Sequence, residues 1–96
     1  MRLVHKEKLE DGRLYLAGAP EGVCSQMMEV LVQNGTIQRV QITGGCGGNT
    51  QGVSRLLEGM TLEQGIAKIK GIDCGGKGTS CPDQLSMLLE MALNEN

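Results

Sequence analysis

Hydrophobic and polar residues alternate along the first half of the chain and change to helical spacing in the second half. Alternation in residues 3–8 and 13–16 predicts two short strands. Between them stands Glu10-Asp11-Gly12, and Asp-Gly between alternating segments is a hairpin signal. Residues 19–24, with Pro20 and Gly22, are expected to form a loop that leads to Cys24.

The clearest hairpin is predicted over residues 26–33 and 36–43, closed at Asn34-Gly35. A two-residue turn there would place apolar positions of one strand opposite polar positions of the other. A three-residue loop, with a left-handed glycine as a bulge, pairs Met28 with Val40 and keeps apolar side chains together. The sequence therefore favours the bulged loop, in an antiparallel sheet of about three strands.

Helical spacing predicts helices over residues 49–58, 62–70 and about 82–94. Thr61 and Gln64 fit a capping box for the second of these. The residues expected to face the core are Val53, Leu56, Leu57 and Met60, then Leu62, Ile66 and Ile69, then Leu85, Leu88, Leu89, Ala92 and Leu93. Strands first and helices afterwards predict an α+β fold, with two to three helices over one face of the sheet.

Size and composition narrow the function classes. The 96 residues suit a single domain spanning 1–96, and the 40% hydrophobic content includes only 1% aromatic residues. A net charge of −2 argues against nucleic-acid binding, which normally needs a basic surface. The sequence has no apolar run long enough for a membrane span and a polar start unlike a signal peptide. A cytoplasmic protein with reduced thiols is expected.

The four cysteines carry most of the candidate chemistry: Cys24, Cys46, Cys74 and Cys81, each in or beside glycine-rich or turn-forming sequence. Cys46 and Cys81 stand where helices are expected to begin, and the positive end of a helix dipole favours a thiolate. Strand pairing should bring Cys24 beside Cys46. In a reducing compartment such a set indicates metal binding or redox chemistry.

Three interpretations stay open from the residues. The first is a metal site with four thiolate ligands, holding zinc or an iron–sulfur cluster. The second is a redox dithiol, most plausibly Cys74 and Cys81. The third is an interaction module with structural cysteines that docks through exposed Met and Leu side chains. His5 is expected at the surface, Asp83 as a helix-capping residue and Lys77 in solvent.

The string Thr79-Ser80-Cys81-Pro82-Asp83 resembles the motif that names the TSCPD domain family. The segments Gly44-Gly45-Cys46-Gly47-Gly48-Asn49 and Gly71-Ile72-Asp73-Cys74-Gly75 also match its pattern, and the resemblance covers about residues 22–93. It implies a relationship to the C-terminal domain of adenosylcobalamin-dependent ribonucleotide reductases. Such a reductase or another redox enzyme is then an expected partner, with the domain not catalytic on its own and a homo-oligomer left open.

The chain is more distantly similar to U-type iron–sulfur cluster scaffolds. Cys24, Cys46 and Cys81 match, in that order, a cysteine before a hairpin strand, one in a glycine elbow and one that opens the last helix. The similarity implies a three-stranded sheet packed by helices, with the thiols gathered at one end. Cys74 would complete four-thiolate coordination.

Overall fold

The computed structural model describes residues 1–45, 47–73, 75–76 and 78–95, and in them the chain forms four strands followed by three helices. The elements are β1 (Arg2–Lys8), β2 (Arg13–Ala19), β3 (Ser25–Gln33), β4 (Thr36–Gly44), α1 (Gly47–Leu57), α2 (Leu62–Ile69) and α3 (Cys81–Leu93). The strands form one antiparallel sheet in the order of the sequence. The predicted α+β class is confirmed, with one strand more than the three expected.

The core lies between one face of the sheet and the helices. Alternate residues of β2 and β3 point into it, because successive side chains of a strand point to opposite faces. From the helical side, α3 supplies the largest buried stripe. The buried apolar residues of these elements are Leu14, Leu16, Met28, Val30, Val32, Leu85, Leu88, Leu89 and Ala92. Every residue of β1 is exposed, so this strand extends the sheet beyond the part that the helices cover.

The turn between β3 and β4 is tighter than expected. Gln33 pairs with Thr36, so the connection has two residues, Asn34 and Gly35. Their φ angles of 52° and 75° are the positive pair that a type I′ hairpin turn requires. The predicted three-residue loop is therefore wrong.

A bulge inside the hairpin keeps the apolar residues together in spite of the short turn. Val32 pairs with Ile37, but the preceding Leu31 pairs with Arg39, which leaves Gln38 as an extra residue. From that point the register is shifted by one residue, and apolar side chains again face each other across the strands. The resulting register pairs Val30 with Val40 and Met28 with Ile42, so the predicted pairing of Met28 with Val40 is also wrong.

The helix α1 corrects one predicted core residue. Leu57 is 2% exposed, whereas Leu56 is 73% exposed and points to solvent. The helix packs mainly against the edge strand β4, so only a narrow stripe through Val53 and Leu57 is covered. The expectation that Leu56 faces the core is wrong.

Local signals at the other helix ends are confirmed. Thr61 Oγ1 accepts a hydrogen bond from the Gln64 amide at 3.1 Å, and Gln64 Oε1 accepts one from the Thr61 amide at 3.1 Å. These two bonds form the predicted capping box. Within α2, Leu62 and Ile69 are buried and Ile66 is partly buried against the core. None of the described helices has the length and apolar character needed to cross a membrane.

Candidate functional site

Two of the four cysteines lie at one pole of the molecule, on either side of Ser25. Cys24 directly precedes Ser25, the first residue of β3, and Cys81 is the first residue of α3. The Ser25 hydroxyl, which is 5% exposed, donates a hydrogen bond to Cys81 Sγ at 3.2 Å. The start of the hairpin and the start of the last helix therefore meet at this hydroxyl.

The end of β4 comes to the same pole. Ser25 pairs with Gly44, the last residue of β4. A Cβ atom built on Gly45 would lie 3.4 Å from Cys24 Sγ and 3.4 Å from Ser25 Cβ. Gly45 precedes Cys46 in the chain, and the predicted proximity of Cys24 to Cys46 itself lies outside the described residues.

Cys46 and Cys74 lie outside the residues that the structure describes, as does Lys77. In the described part of the chain, Cys24 and Cys81 are free thiols, the first exposed and the second partly buried. The same part of the chain contains no group of three or more Cys, His, Asp or Glu residues arranged to hold a metal ion. The four-cysteine site therefore stays a prediction, with one pair of its thiols placed at a common pole.

The carboxylate of Asp83 joins the two ends of the segment that carries Cys74. Its Oδ1 accepts a hydrogen bond from the Gly71 amide at 2.7 Å, and its Oδ2 accepts one from Thr79 Oγ1 at 2.7 Å. The bond from the Thr79 hydroxyl, followed by that from the Gly71 amide, lowers the pKa of Asp83 below its ordinary value. Asp83 thus fixes where residues 72–78 leave α2 and return to α3.

Gln84 connects the loop before Cys24 to the same helix end. Its Oε1 accepts a hydrogen bond from the Glu21 amide at 3.1 Å, and its Nε2 donates one to Thr79 Oγ1 at 3.0 Å. Gln84 is 4% exposed, and each of its polar side-chain atoms has a partner. The loop that leads to Cys24 and the segment that leads to Cys81 are therefore joined through one buried amide.

Comparison with known proteins identifies the family of the chain. A family model described as TSCPD domain matches residues 10–93, nearly the whole chain. The chain belongs to the TSCPD domain family. No curated protein and no solved structure matches it.

Four residues of the motif that names the TSCPD family shape the start of α3 around Cys81. Thr79 donates to Asp83, and Ser80 caps α3 by accepting a hydrogen bond from the Asp83 amide at 3.1 Å. Pro82 lies in the first turn of α3, where a missing N–H costs little. These residues hold Cys81 at the first position of the helix, so the motif fixes the position of one thiol.

Sequence reasoning missed part of this network. Asp83 was expected to cap its own helix, and the spacing of Ser80 and Asp83 is that of a capping box. In the structure Ser80 does cap, but the Asp83 carboxylate turns to Gly71 and Thr79. No local pattern signals the Ser25–Cys81 bond, which joins residues 56 positions apart.

Two other predicted roles can be compared with the structure. His5 is exposed, and its Nε2 lies 3.1 Å from Glu7 Oε1, so the expected surface position is confirmed. For the interaction module, exposed Met side chains were expected, but all six methionines are buried or partly buried. The large apolar side chains exposed in the described part of the chain are Leu3, Val4, Leu56 and Ile72.

Proposed function

We propose that this TSCPD domain binds a metal through its four cysteines, Cys24, Cys46, Cys74 and Cys81, as a zinc ion or an iron–sulfur cluster. The observation that carries the proposal is the contact between Ser25 and Cys81, which brings the Cys24 and Cys81 segments together at one pole. Gly45, next to Cys46, lies against Cys24 at that pole. The fold therefore directs the segments of three of the four cysteines to one region.

The donor set fits such a group. Four thiolates are the usual ligands of structural zinc and of iron–sulfur clusters. Both described thiols are free: Cys24 is exposed, and Cys81 is partly buried and packed against the hydrophobic core. Bound zinc would crosslink the sheet, the glycine elbow and α3, and a cluster would add electron transfer at the same place.

Residues of the chain itself prepare the ligands. The Ser25 hydroxyl donates to Cys81 Sγ, and this hydrogen bond fixes the position of the sulfur. Asp83 holds both ends of the segment that contains Cys74, which limits how far that segment can move from Cys81. These neighbours would lower the cost of assembling the site.

Family membership supports a place beside a larger enzyme. The TSCPD family includes small domains related to the C-terminal domain of adenosylcobalamin-dependent ribonucleotide reductases. We therefore propose an accessory, non-catalytic role, with a ribonucleotide reductase or another redox enzyme as partner.

A second candidate is a redox relay through Cys74 and Cys81. The two hydrogen bonds of the Asp83 carboxylate favour this candidate. They hold Gly71 and Thr79, on either side of the segment that contains Cys74, to one carboxylate near Cys81. A thiolate of this pair would attack a disulfide of a partner enzyme, and the other cysteine would then release the partner. Cys74 and Cys81 would end as a disulfide, and the partner's two sulfurs would end as thiols, having received two electrons and two protons. Metal-free wild-type protein in the following experiment, together with a reversible Cys74–Cys81 disulfide, would favour this candidate.

Metal analysis of protein purified without oxygen tests the metal proposal. We expect about one zinc ion or one cluster per chain, the cluster being recognised by its visible absorption and bound sulfide. Each single Cys→Ser change at the four positions should remove most of the metal, because serine is a poor ligand for these groups. Leu56→Ser, at a solvent-exposed position of α1, is the control and should retain it. Metal-free wild-type protein, or four variants that all retain wild-type metal content, would contradict the proposal.

A further inference from the structure

The outer edge of β4 is covered along its first half only. Ile37 donates from its amide to the Met60 carbonyl at 2.8 Å and accepts from the Gly59 amide at 2.8 Å. Further along, the Val40 amide donates to Glu58 Oε2 at 3.2 Å. Edge strands are commonly protected in this way, because unpaired backbone groups attract other strands.

Beyond Val40 the edge is open. Backbone groups of a strand alternate in direction, so the amide and carbonyl of Ile42 point to the same outer side as the Val40 amide. Outside the sheet, no described residue is hydrogen-bonded to Ile42. The second half of β4 therefore offers a free donor and acceptor to an added strand.

A groove runs along this open edge. It has a volume of about 520 Å³ and is bounded by the second half of β4, by Gly45 just after that strand, and by one face of α1. This volume lies within the usual range of ligand sites, roughly 300 to 1,000 Å³. From α1, Gln51, Ser54 and Arg55 contribute polar groups to its wall. A groove between an edge strand and a helix is the shape that strand addition by a peptide needs.

Two arginines give the groove a positive character within a chain of net charge −2. Arg39 and Arg55 line it, and neither forms an ion pair with any described residue. The single acidic residue among the described lining residues, Glu58, is engaged with the Val40 amide. Unpaired arginines beside free backbone groups favour an occupant with carboxylates.

The arginines lie on opposite sides of the open edge. Val40 points into the core, so the preceding Arg39 lies on the face of the sheet that the helices leave open. Arg55 lies on α1, at the helical side. Successive side chains of an added strand would alternate between the same two sides, so two neighbouring acidic residues would meet one arginine each.

We propose that an extended acidic peptide segment of a partner protein adds to β4 beside α1, hydrogen-bonded to Ile42 and ion-paired with Arg39 and Arg55. A second copy of the chain is disfavoured as the occupant, because the same edge would bring the same two arginines to the groove. The groove ends at Gly45, beside Cys24, so the bound segment would lead to the pole where Cys24 and Cys81 lie. The proposal does not depend on a bound metal.

The test uses a synthetic peptide, acetyl-Thr-Val-Glu-Glu-Val-Thr-amide, titrated into the whole chain and followed by calorimetry and amide NMR. We expect saturable binding, a shift of the Ile42 amide signal and slower hydrogen exchange at that amide. Arg39→Gln and Arg55→Gln should each weaken binding about tenfold, since each removes one charge-assisted pair. Lys68→Gln, at an exposed cation of α2 outside the groove and without an ion pair in the described residues, should bind like the wild type.

Two altered peptides complete the test. A peptide with lysine at both glutamate positions should not bind, because it reverses the charge. A peptide N-methylated at alternate backbone nitrogens should lose binding, because it cannot donate to the strand. Equal binding of either altered peptide, or an unshifted Ile42 amide, would overturn the proposal. A concentration-dependent dimer that protects Ile42 without any peptide would replace the proposed occupant with a second copy.

Discussion

Truncation of Leu88 to alanine is expected to lower the free energy of unfolding by about 3 kcal/mol. Leu88 is fully buried in α3, and its Cδ1 would lie 3.1 Å from a Cβ atom built on Gly18 of β2, so it joins the helix to the sheet. A domain of this size has a total stability on the order of 5 to 10 kcal/mol, so the loss is a large fraction. The same helix carries Cys81, and we expect weaker metal retention with the lower stability.

Leu56→Ala is the matched control for this prediction. It removes the same atoms from a side chain that is 73% exposed, and its effect should stay within about 0.5 kcal/mol. Urea denaturation followed by circular dichroism measures both variants. Similar losses for the two changes would mean that α3 does not contact the sheet as described.

Asp83→Asn is expected to destabilise the domain by about 1 to 3 kcal/mol at pH 7, because it removes the charge from a carboxylate that accepts two hydrogen bonds. One acceptor oxygen becomes an amide nitrogen, which cannot accept from the Gly71 amide or the Thr79 hydroxyl. The ends of the segment with Cys74 would then separate more easily. Urea denaturation and metal analysis of the same samples measure the two consequences.

The pH dependence of this variant has a definite sign. The folded pKa of Asp83 is lowered, first by the Thr79 hydroxyl and then by the Gly71 amide, so its carboxylate contributes stability above the ordinary pKa of 3.8. That contribution decreases as the pH falls below this value, towards the folded pKa. The wild type should therefore lose more stability than Asp83→Asn between neutral and strongly acidic pH.

Asp11→Asn is the control, since Asp11 forms an exposed ion pair with Arg13 at 2.6 Å. Its effect on the free energy of unfolding at neutral pH should be much smaller than that of Asp83→Asn, since solvent screens an exposed ion pair. An Asp83→Asn variant with the stability of this control, or with the full acid sensitivity of the wild type, would show that the hydrogen bonds of the Asp83 carboxylate contribute little to the stability of the domain.

Local signals in the sequence predicted the elements better than their packing. The capping box at Thr61 and Gln64 depends on residues three positions apart, and it was predicted correctly. The bulge at Gln38 was not predicted, because the pattern requires only one extra residue to keep apolar side chains opposite each other. An extra residue in the turn and an extra residue at Gln38 both meet that requirement. The exposure of Leu56 depends on how much of α1 the edge strand covers, which helical spacing does not contain.

The candidate site shows the same division. Strand pairing predicted Cys24 beside Cys46, because a hairpin fixes which ends meet, and the structure places Cys24 against Gly45, the residue before Cys46. The Ser25–Cys81 bond depends on how α3 docks on the sheet, and no residue near either partner signals it. The Asp83 carboxylate was assigned to its own helix because the capping pattern is local, whereas its partner Gly71 lies 12 positions away.

X-ray absorption at the edge of the metal found in anaerobically purified protein tests the central claim most directly. The account predicts four sulfur neighbours per metal at about 2.3 Å: for zinc, the thiols of Cys24, Cys46, Cys74 and Cys81, and for a cluster, these thiols together with bridging sulfide. A metal surrounded mainly by nitrogen and oxygen, or protein without metal, would contradict it.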